Sequence, residues 1–303
     1  WPLSRRSFPK QYLSLDSKEE NSFLQSTIQR IQNLNNSENP IVVCNEEHRF
    51  ITAEQLKEIK INPFSILLEP SSQNTAPAIA AASLKAIENG EDPILLILPS
   101  DHQIKKEENF LNAIEKAKNA ALKNKIVTFG IKPTYPSTGF GYIKAKELLK
   151  AQNNEPLEIE EFIEKPSETL ANEFFKDNLY TWNSGIFMSK ATILINELEK
   201  FCPEIILHCN ESLKKKQMDL DFERLEKNSF MKCPSISIDK AIMEKTTRGV
   251  VFPLDVGWSD IGSWKSLWEN SSKDENGNLL TGDSIQFSSR NCLINSNSRL
   301  TVG

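Results

Sequence analysis

Ile94-Leu95-Leu96-Ile97-Leu98-Pro99-Ser100-Asp101-His102 is the stretch on which the fold turns. Five apolar residues without alternation predict a strand covered on both faces, central in a parallel sheet. The polar, compact Pro99-Ser100-Asp101-His102 that follows predicts a strand end opening onto a ligand. The same rhythm runs outward in both directions. Upstream, Pro40 to Cys44 and Ser65 to Glu69 are short strand-like runs. Between them Thr52-Ala53-Glu54-Gln55 has capping-box spacing and predicts a helix toward Ile59. Asn74-Thr75-Ala76-Pro77 opens an alanine-rich helix ending near Asn89-Gly90. Downstream, Phe110, Ile114, Ala117 and Ala121 mark one helix face at spacings of three and four. Ile126 to Gly130 reads as the next strand.

Strand–helix alternation of this kind predicts right-handed crossovers and an α/β fold, Rossmann-like, with a doubly wound, mostly parallel sheet. Beyond Gly130 the pattern loosens. Gly141 to Ala145, Ile159 to Ile163, Ile186 to Met188 and Val250 to Leu254 are strand-like, and predict a second lobe around the same sheet. After Asp274-Glu275-Asn276-Gly277-Asn278 the chain is short and β-rich. The expected division is 1–270, with halves 1–130 and 131–270, followed by a C-terminal β-rich element at 271–303. Trp1 opens the chain without an initiating Met, and Gly303 closes it just after a strand-like stretch, so both ends read as cut.

Composition narrows the function classes. The 303 residues carry 36 Lys and Arg against 41 Asp and Glu, for a net charge of −5, and 39% of them are hydrophobic. That mixture is globular, with no basic stripe for nucleic acid and no apolar run long enough for a membrane span. Five cysteines without CxxC spacing argue against a disulfide framework and fit a cytoplasmic setting. His208-Cys209 with Cys202 lacks the second pair that a zinc site needs.

The chemistry-bearing residues sit in loops. Asp255 to Trp264, Asp-Val-Gly-Trp-Ser-Asp-Ile-Gly-Ser-Trp, sets Asp260 among two glycines and two tryptophans. Asp101 ends the most apolar strand. A hard divalent cation takes oxygen ligands, commonly one or two carboxylates plus substrate phosphates, so Asp101 and Asp260 read as a metal pair. Asp101 also suits a helix N-cap. Lys10, behind Pro9 in a segment rich in cations, suits a phosphate or a solvated basic arm. Glu69, Asn74 and Thr75 offer polar groups beside a helix N-terminus, fit either for a nucleotide or for capping. Gly141 lies in a glycine-bearing turn. Glu164, Lys165 and Asn183 are the residue types that sugar hydroxyls and a sugar phosphate require.

In order along the chain, WPLSRRSFPKQ (1–11), NEEHRF (45–50), EPSSQNTAPAIAAA (69–82), LPSDH (98–102), FGIKPTYPSTGFGYI (129–143), FIEKP (162–166), WNSGIF (182–187), IDKAIMEKT (238–246), VGWSDIGSW (256–264) and KDENGN (273–278) resemble the sugar-nucleotide pyrophosphorylases. Within that family the resemblance is to the mannose-1-phosphate guanylyltransferase branch of bacteria, and it covers essentially the whole chain. It implies a nucleotide-diphospho-sugar transferase fold with a sugar-binding lobe. It also implies the partners GTP, mannose 1-phosphate and GDP-mannose, with Mg2+ as cofactor, and a homodimer is among the assemblies it allows. By the same resemblance Lys10 contacts nucleotide phosphates, Glu69, Asn74 and Thr75 lie in the guanosine pocket, and Asp101 and Asp260 hold magnesium. Gly141, Glu164 and Asn183 bind mannose, and Lys165 binds its phosphate. GDP-mannose of this branch commonly feeds polysaccharide biosynthesis.

The family begins with a strand and a Gly-Gly-x-Gly-Thr-Arg-Leu loop just before the Trp-Pro-Leu-Ser-Arg segment, which this sequence does not include. Its bifunctional members add a mannose-6-phosphate isomerase domain, which would lie beyond these 303 residues. A non-catalytic sugar-nucleotide-binding subunit is the alternative of another class. Such a subunit is expected to lack Asp101, Asp260 or Lys165, and all three stand here.

Overall fold

The computed structural model describes residues 3–14, 21–150, 155–296 and 299–302. Trp1, Pro2 and Gly303 therefore lie outside the described residues. In chain order the strands are β1 (Ile41–Asn45), β2 (Ser65–Glu69), β3 (Ile94–Ile97), β4 (Ile126–Ile131), β5 (Tyr142–Ala145), β6 (Leu157–Ile163), β7 (Tyr180–Lys190), β8 (Gln217–Asp219), β9 (Phe222–Arg224) and β10 (Gly249–Pro253). The helices are α1 (Phe23–Ile31), α2 (Arg49–Glu58), α3 (Thr75–Ala86), α4 (Glu107–Leu122), α5 (Glu168–Lys176), α6 (Ala191–Phe201), α7 (Pro203–Lys214), α8 (Lys227–Phe230) and α9 (Trp264–Asn270).

The α/β class stands, but the sheets are mixed rather than mostly parallel. One sheet runs β1-β2-β9-β8 and the other β3-β7-β4-β10-β6-β5. Parallel pairing is confined to β1/β2, β2/β9 and β4/β10 in these two sheets, and the rest is antiparallel. The cause is β7, an eleven-residue strand that pairs antiparallel with β3, β4 and β5.

β3 shows which part of its sequence signal was about faces and which about neighbours. Ile94, Leu96 and Leu98 pack into the core under α4, while Leu95 and Ile97 pack into the core under α3, α6 and α7. Both faces are thus covered, as an unbroken apolar run requires. Its parallel pairing is overturned: among the described residues β3 stands at the edge of its sheet, and the strand it pairs with, β7, runs antiparallel to it. β1 likewise ends its own sheet, and residues of both strands line one cavity of about 1890 Å³.

Helix signals held where periodicity carried them. Phe110, Ile114, Ala117 and Ala121 are all buried along α4. Asn74 caps α3 by accepting from the Thr75 backbone N–H at 2.9 Å. The capping-box reading of Thr52 is overturned, because α2 already begins at Arg49. Thr52 is fully buried in that helix, donating to the His48 carbonyl and pairing with the Tyr12 hydroxyl. A threonine inside a helix can satisfy its hydroxyl this way instead of starting one.

The C-terminal residues form short parallel pairs, β11 (Leu279–Thr281) with β13 (Leu293–Asn295) and β12 (Ser284–Ile285) with β14 (Thr301–Val302). Ile261, Leu267 and Leu279 form a small core that ties them to α9. The five cysteines are free, Cys209 and Cys233 facing each other at 3.6 Å. Among the described residues no helix is long and apolar enough to cross a membrane.

Candidate active site

Two loops are zipped together where β3 ends. Gln103 and Ser259 exchange backbone hydrogen bonds of 2.9 and 3.1 Å, and the Val256 carbonyl accepts from the Lys105 and Lys106 amides. This places Asp101, two residues before one side of the bridge, beside Asp260, one residue after the other. Gly257 has a left-handed φ of +62°, and a Cβ there would stand 3.0 Å from the Lys105 side chain. A Cβ on Gly262 would come within 2.8 Å of an Asp260 carboxylate oxygen. The two glycines of the Gly-Trp-Ser-Asp-Ile-Gly stretch thus permit a close loop and leave room for the carboxylate.

Lys10 reaches into the same place. A three-residue 3-10 turn, Lys10–Tyr12, starts directly after Pro9. The Lys10 Nζ donates to Asp101 Oδ2 at 3.1 Å and to the Asp260 carbonyl oxygen, and it lies 5.5 Å from the Phe23 ring centroid. Lys10, Asp101 and Asp260 are therefore brought together. Burial raises the Asp260 pKa, Asp101 adds to that, and Lys10 opposes it. An environment that disfavours the lone carboxylate favours a cation beside it. Among the described residues no group of three or more His, Cys, Asp and Glu is arranged to hold a metal. Two carboxylates alone suit an ion that takes its remaining oxygens from substrate phosphates and water, which is the habit of magnesium. The donor set fits that ion.

His102 is the buried neighbour. The Trp258 indole N–H donates to its Nδ1 at 3.2 Å, and the rings meet edge to face at 5.2 Å. Burial pushes the His102 pKa well below its ordinary value. It is therefore neutral and adds no positive charge to the site. The aromatic contacts continue from Trp258 to Phe140 at 5.4 Å and from Phe140 to Trp182 at 4.9 Å. They lead straight to the second cluster.

Gly141, Glu164 and Asn183 form that cluster. Gly141 accepts from the Asn183 backbone N–H at 2.8 Å. A Cβ at Gly141 would sit 2.6 Å from Glu164 Oε2 and 3.3 Å from the Asn183 Cβ. Lys165 follows with a left-handed φ of +52°, and its Nζ stands 3.7 Å from Glu164 Oε1 while the side chain remains 64% exposed. The Glu164 amide donates to Glu244 Oε1, which holds this turn. Burial, then Asp239, raises the Glu164 pKa to about 7, with Lys165 opposing. Gly185, two residues beyond Asn183, lies against Pro99 and His102, so the strand bearing Asn183 abuts the Asp101 loop.

The predicted nucleotide residues divide. Glu69 ends β2 and Thr75 begins α3, and both line the large cavity together with His102 and Gly185. Glu69 Oε1 is buried without a hydrogen-bond partner, and burial raises the Glu69 pKa to about 7. A buried orphan acceptor is costly unless something donates to it. Asn74 is spent on capping, and the Thr75 hydroxyl accepts from the Ile238 amide at 2.9 Å.

Sequence reasoning passed over Asp239 and Thr128. The Asn183 amide donates to Asp239 Oδ1 at 2.7 Å, and its Oδ1 accepts from the Thr128 hydroxyl at 2.9 Å and from the Gly185 amide at 3.2 Å. An Asp inside the apolar Ile-Asp-Lys-Ala-Ile-Met run was the available signal for the first. Nothing marked a threonine in the middle of β4.

A sequence model described as nucleotidyl transferase matches residues 1–277. The chain is 47% identical over 305 residues to a mannose-1-phosphate guanylyltransferase of Salmonella montevideo, covering all of this chain and 64% of that protein. It is 48% identical over 291 residues to the xanthan biosynthesis protein XanB of Xanthomonas campestris, covering 96% and 61%. The chain thus spans less than two thirds of the length of these relatives. Among solved structures, a Thermus thermophilus chain described as a mannose-1-phosphate geranyltransferase superposes with a TM-score of 0.84 at 26% identity, over 100% of this chain and 85% of that one. A Helicobacter pylori chain described as a mannose-6-phosphate isomerase superposes at 0.74 with 34% identity, over 84% and 96%.

Proposed function

The chain belongs to the nucleotidyl transferase family, and from that premise we propose that the protein makes GDP-mannose and pyrophosphate from GTP and α-D-mannose 1-phosphate. Relatives named mannose-1-phosphate guanylyltransferase, matching over the whole chain, support the choice of substrates. The observation that carries the reading is the meeting of Lys10 with Asp101 and Asp260, one aromatic run away from the Gly141, Glu164 and Asn183 cluster. A cationic, carboxylate-bearing centre beside a polar, hydroxyl-sized one is what joining a nucleotide to a sugar phosphate requires.

In this reading residues 1–130 hold the nucleotide and 131–270 the sugar. Glu69 accepts from the N–H edge of guanine, which gives its orphaned oxygen a donor, and Asn74 and Thr75 border the same base. Gly141, Glu164 and Asn183 hold mannose, and exposed Lys165 holds its phosphate. Asp101 and Asp260 would hold magnesium, which when bound neutralises phosphate charge at the reacting centre.

The sugar phosphate is its own nucleophile. Its second pKa is about 6, so it is largely dianionic at neutral pH and needs no general base. Neutral, buried His102 is consistent with that. The nucleophilic oxygen attacks the α-phosphorus of GTP in line, and pyrophosphate leaves. Lys10 and Lys165 bring positive charge to the two phosphates, and the clusters align them. Lys10 exchanges its Asp101 contact for phosphate as the nucleotide enters. The product suits polysaccharide assembly, which the name of the XanB relative supports. A cytoplasmic setting belongs to the same proposal.

Pyrophosphate release by the full-length protein with GTP, mannose 1-phosphate and magnesium tests the reading. Binding of GDP-mannose without any turnover would replace the enzyme with a non-catalytic binder.

A further inference from the structure

Asp239 opens a π-helical turn, Asp239–Met243, at the end of a loop pinned to the start of α3. The Ala76 amide donates to the Ile236 carbonyl at 3.1 Å, and the Ile238 amide donates to the Thr75 hydroxyl at 2.9 Å. The loop is thereby fixed to the nucleotide side. Asp239 itself reaches the sugar side, where it accepts from Asn183 Nδ2 at 2.7 Å. It lines the same cavity as Glu69, Thr75 and His102.

The hydrogen-bond count at this junction is incomplete in an informative way. Asn183 Oδ1 is saturated by the Thr128 hydroxyl and the Gly185 amide, and one Nδ2 hydrogen goes to Asp239. The amide orientation is therefore locked, with one N–H left over. A carboxylate has about four acceptor sites, and the Asn183 amide takes one of those on Asp239, so acceptor capacity remains. A spare donor and a spare acceptor side by side, next to Glu164, match the two faces of a single hydroxyl group.

We propose that Asp239 is a sugar-recognition residue: with the amide of Asn183 it holds one hydroxyl of the hexose, so that the loop pinned to the nucleotide side also reads the sugar. This deepens the reading above and rests on it. Asp239 also sets the Asn183 amide, so its loss disturbs both partners of that hydroxyl. Sites built to hydrogen-bond a hydroxyl reject the analogue lacking it far more strongly than apolar pockets do.

Titration of the full-length protein with GDP-mannose, GDP, and GDP-mannose analogues each lacking one sugar hydroxyl provides the test. Asp239→Asn should weaken GDP-mannose by about 10- to 100-fold, the usual range for a hydrogen bond to a charged group. GDP affinity should stay unchanged within about twofold, since it lacks the sugar. One deoxy analogue should bind wild type and variant alike, because the partner it lost is the partner the variant lost. Asp239→Ser, which keeps a hydroxyl for Asn183, carries the same comparison if the first variant does not fold. Equal weakening of GDP and GDP-mannose, or every deoxy analogue losing as much in the variant as in wild type, overturns the proposal. If wild type binds GDP-mannose and Asp239→Asn binds it equally well, this inference falls while the functional reading stands. If wild type binds GDP-mannose no more tightly than GDP, and no deoxy analogue differs from GDP-mannose, both fall.

Discussion

The Nζ of Lys10 lies 3.1 Å from Oδ2 of Asp101, 91 residues apart in sequence, and the same Nζ is bound to the carbonyl of Asp260. One lysine thus joins the N-terminal arm to both loops that carry the carboxylate pair. The arrangement makes the pair the first target. Asp101→Asn and Asp260→Asn should each lower kcat by about 10²-fold or more, as expected when a charge-stabilising group at a phosphoryl centre is removed. Steady-state pyrophosphate release at saturating substrates measures it. Wild-type turnover by either variant would remove the pair from the mechanism.

Gly141→Ala tests the second cluster by volume alone. The added Cβ would stand 2.6 Å from Glu164 Oε2, and the carboxylate has to move. A displacement approaching 1 Å at a positioned group costs about 100-fold in efficiency. The loss should appear in kcat/KM for mannose 1-phosphate, with the KM for GTP nearly unchanged. An unaffected kcat/KM for mannose 1-phosphate would separate Gly141 and Glu164 from the sugar.

Glu69 makes stability depend on pH in a direction opposite to that of an ion-paired acid. Its pKa is raised from 4.5 to about 7 by burial, so the folded protein holds a proton that the unfolded chain releases. Its neutral form carries no penalty below pH 4.5, and the penalty grows as pH rises through 7. The full effect is about 3 kcal/mol at pH 8. Glu69→Gln should therefore gain stability relative to wild type between pH 5 and pH 8, measured by urea unfolding of the ligand-free protein. A constant difference across that range would show that Glu69 is ionised in the fold.

Phe110 is wholly buried on α4, with the Arg30 guanidinium 5.9 Å from its ring centroid. Phe110→Ala should cost about 3–5 kcal/mol of stability through lost burial and a residual cavity. Below its lowered melting point the variant should keep the wild-type KM for both substrates. A change in KM with no change in stability would mean that α4 reaches the site.

Much of this was legible because the signals were local. The faces of α4, the cap at Asn74 and the ends of β2 and β4 follow from periodicity and end chemistry. The site loops were legible because glycine, tryptophan and carboxylate in one short stretch have few structural uses. What escaped was relational. The apolar run of β3 reports that both faces are covered but is silent on which strands it pairs with, and β7 pairs with it antiparallel. Thr52 has the residue type and spacing of a helix start, but burial turned its hydroxyl inward. Asp239 acquires meaning only when Asn183, 56 residues away, is brought to it.

The most direct test is pyrophosphate release by the full-length protein with mannose 1-phosphate and magnesium, run in parallel with GTP, UTP, dTTP and ATP. Release with GTP alone, accompanied by GDP-mannose, is the predicted result. Folded protein that releases no pyrophosphate with any of the four nucleotides would contradict the account.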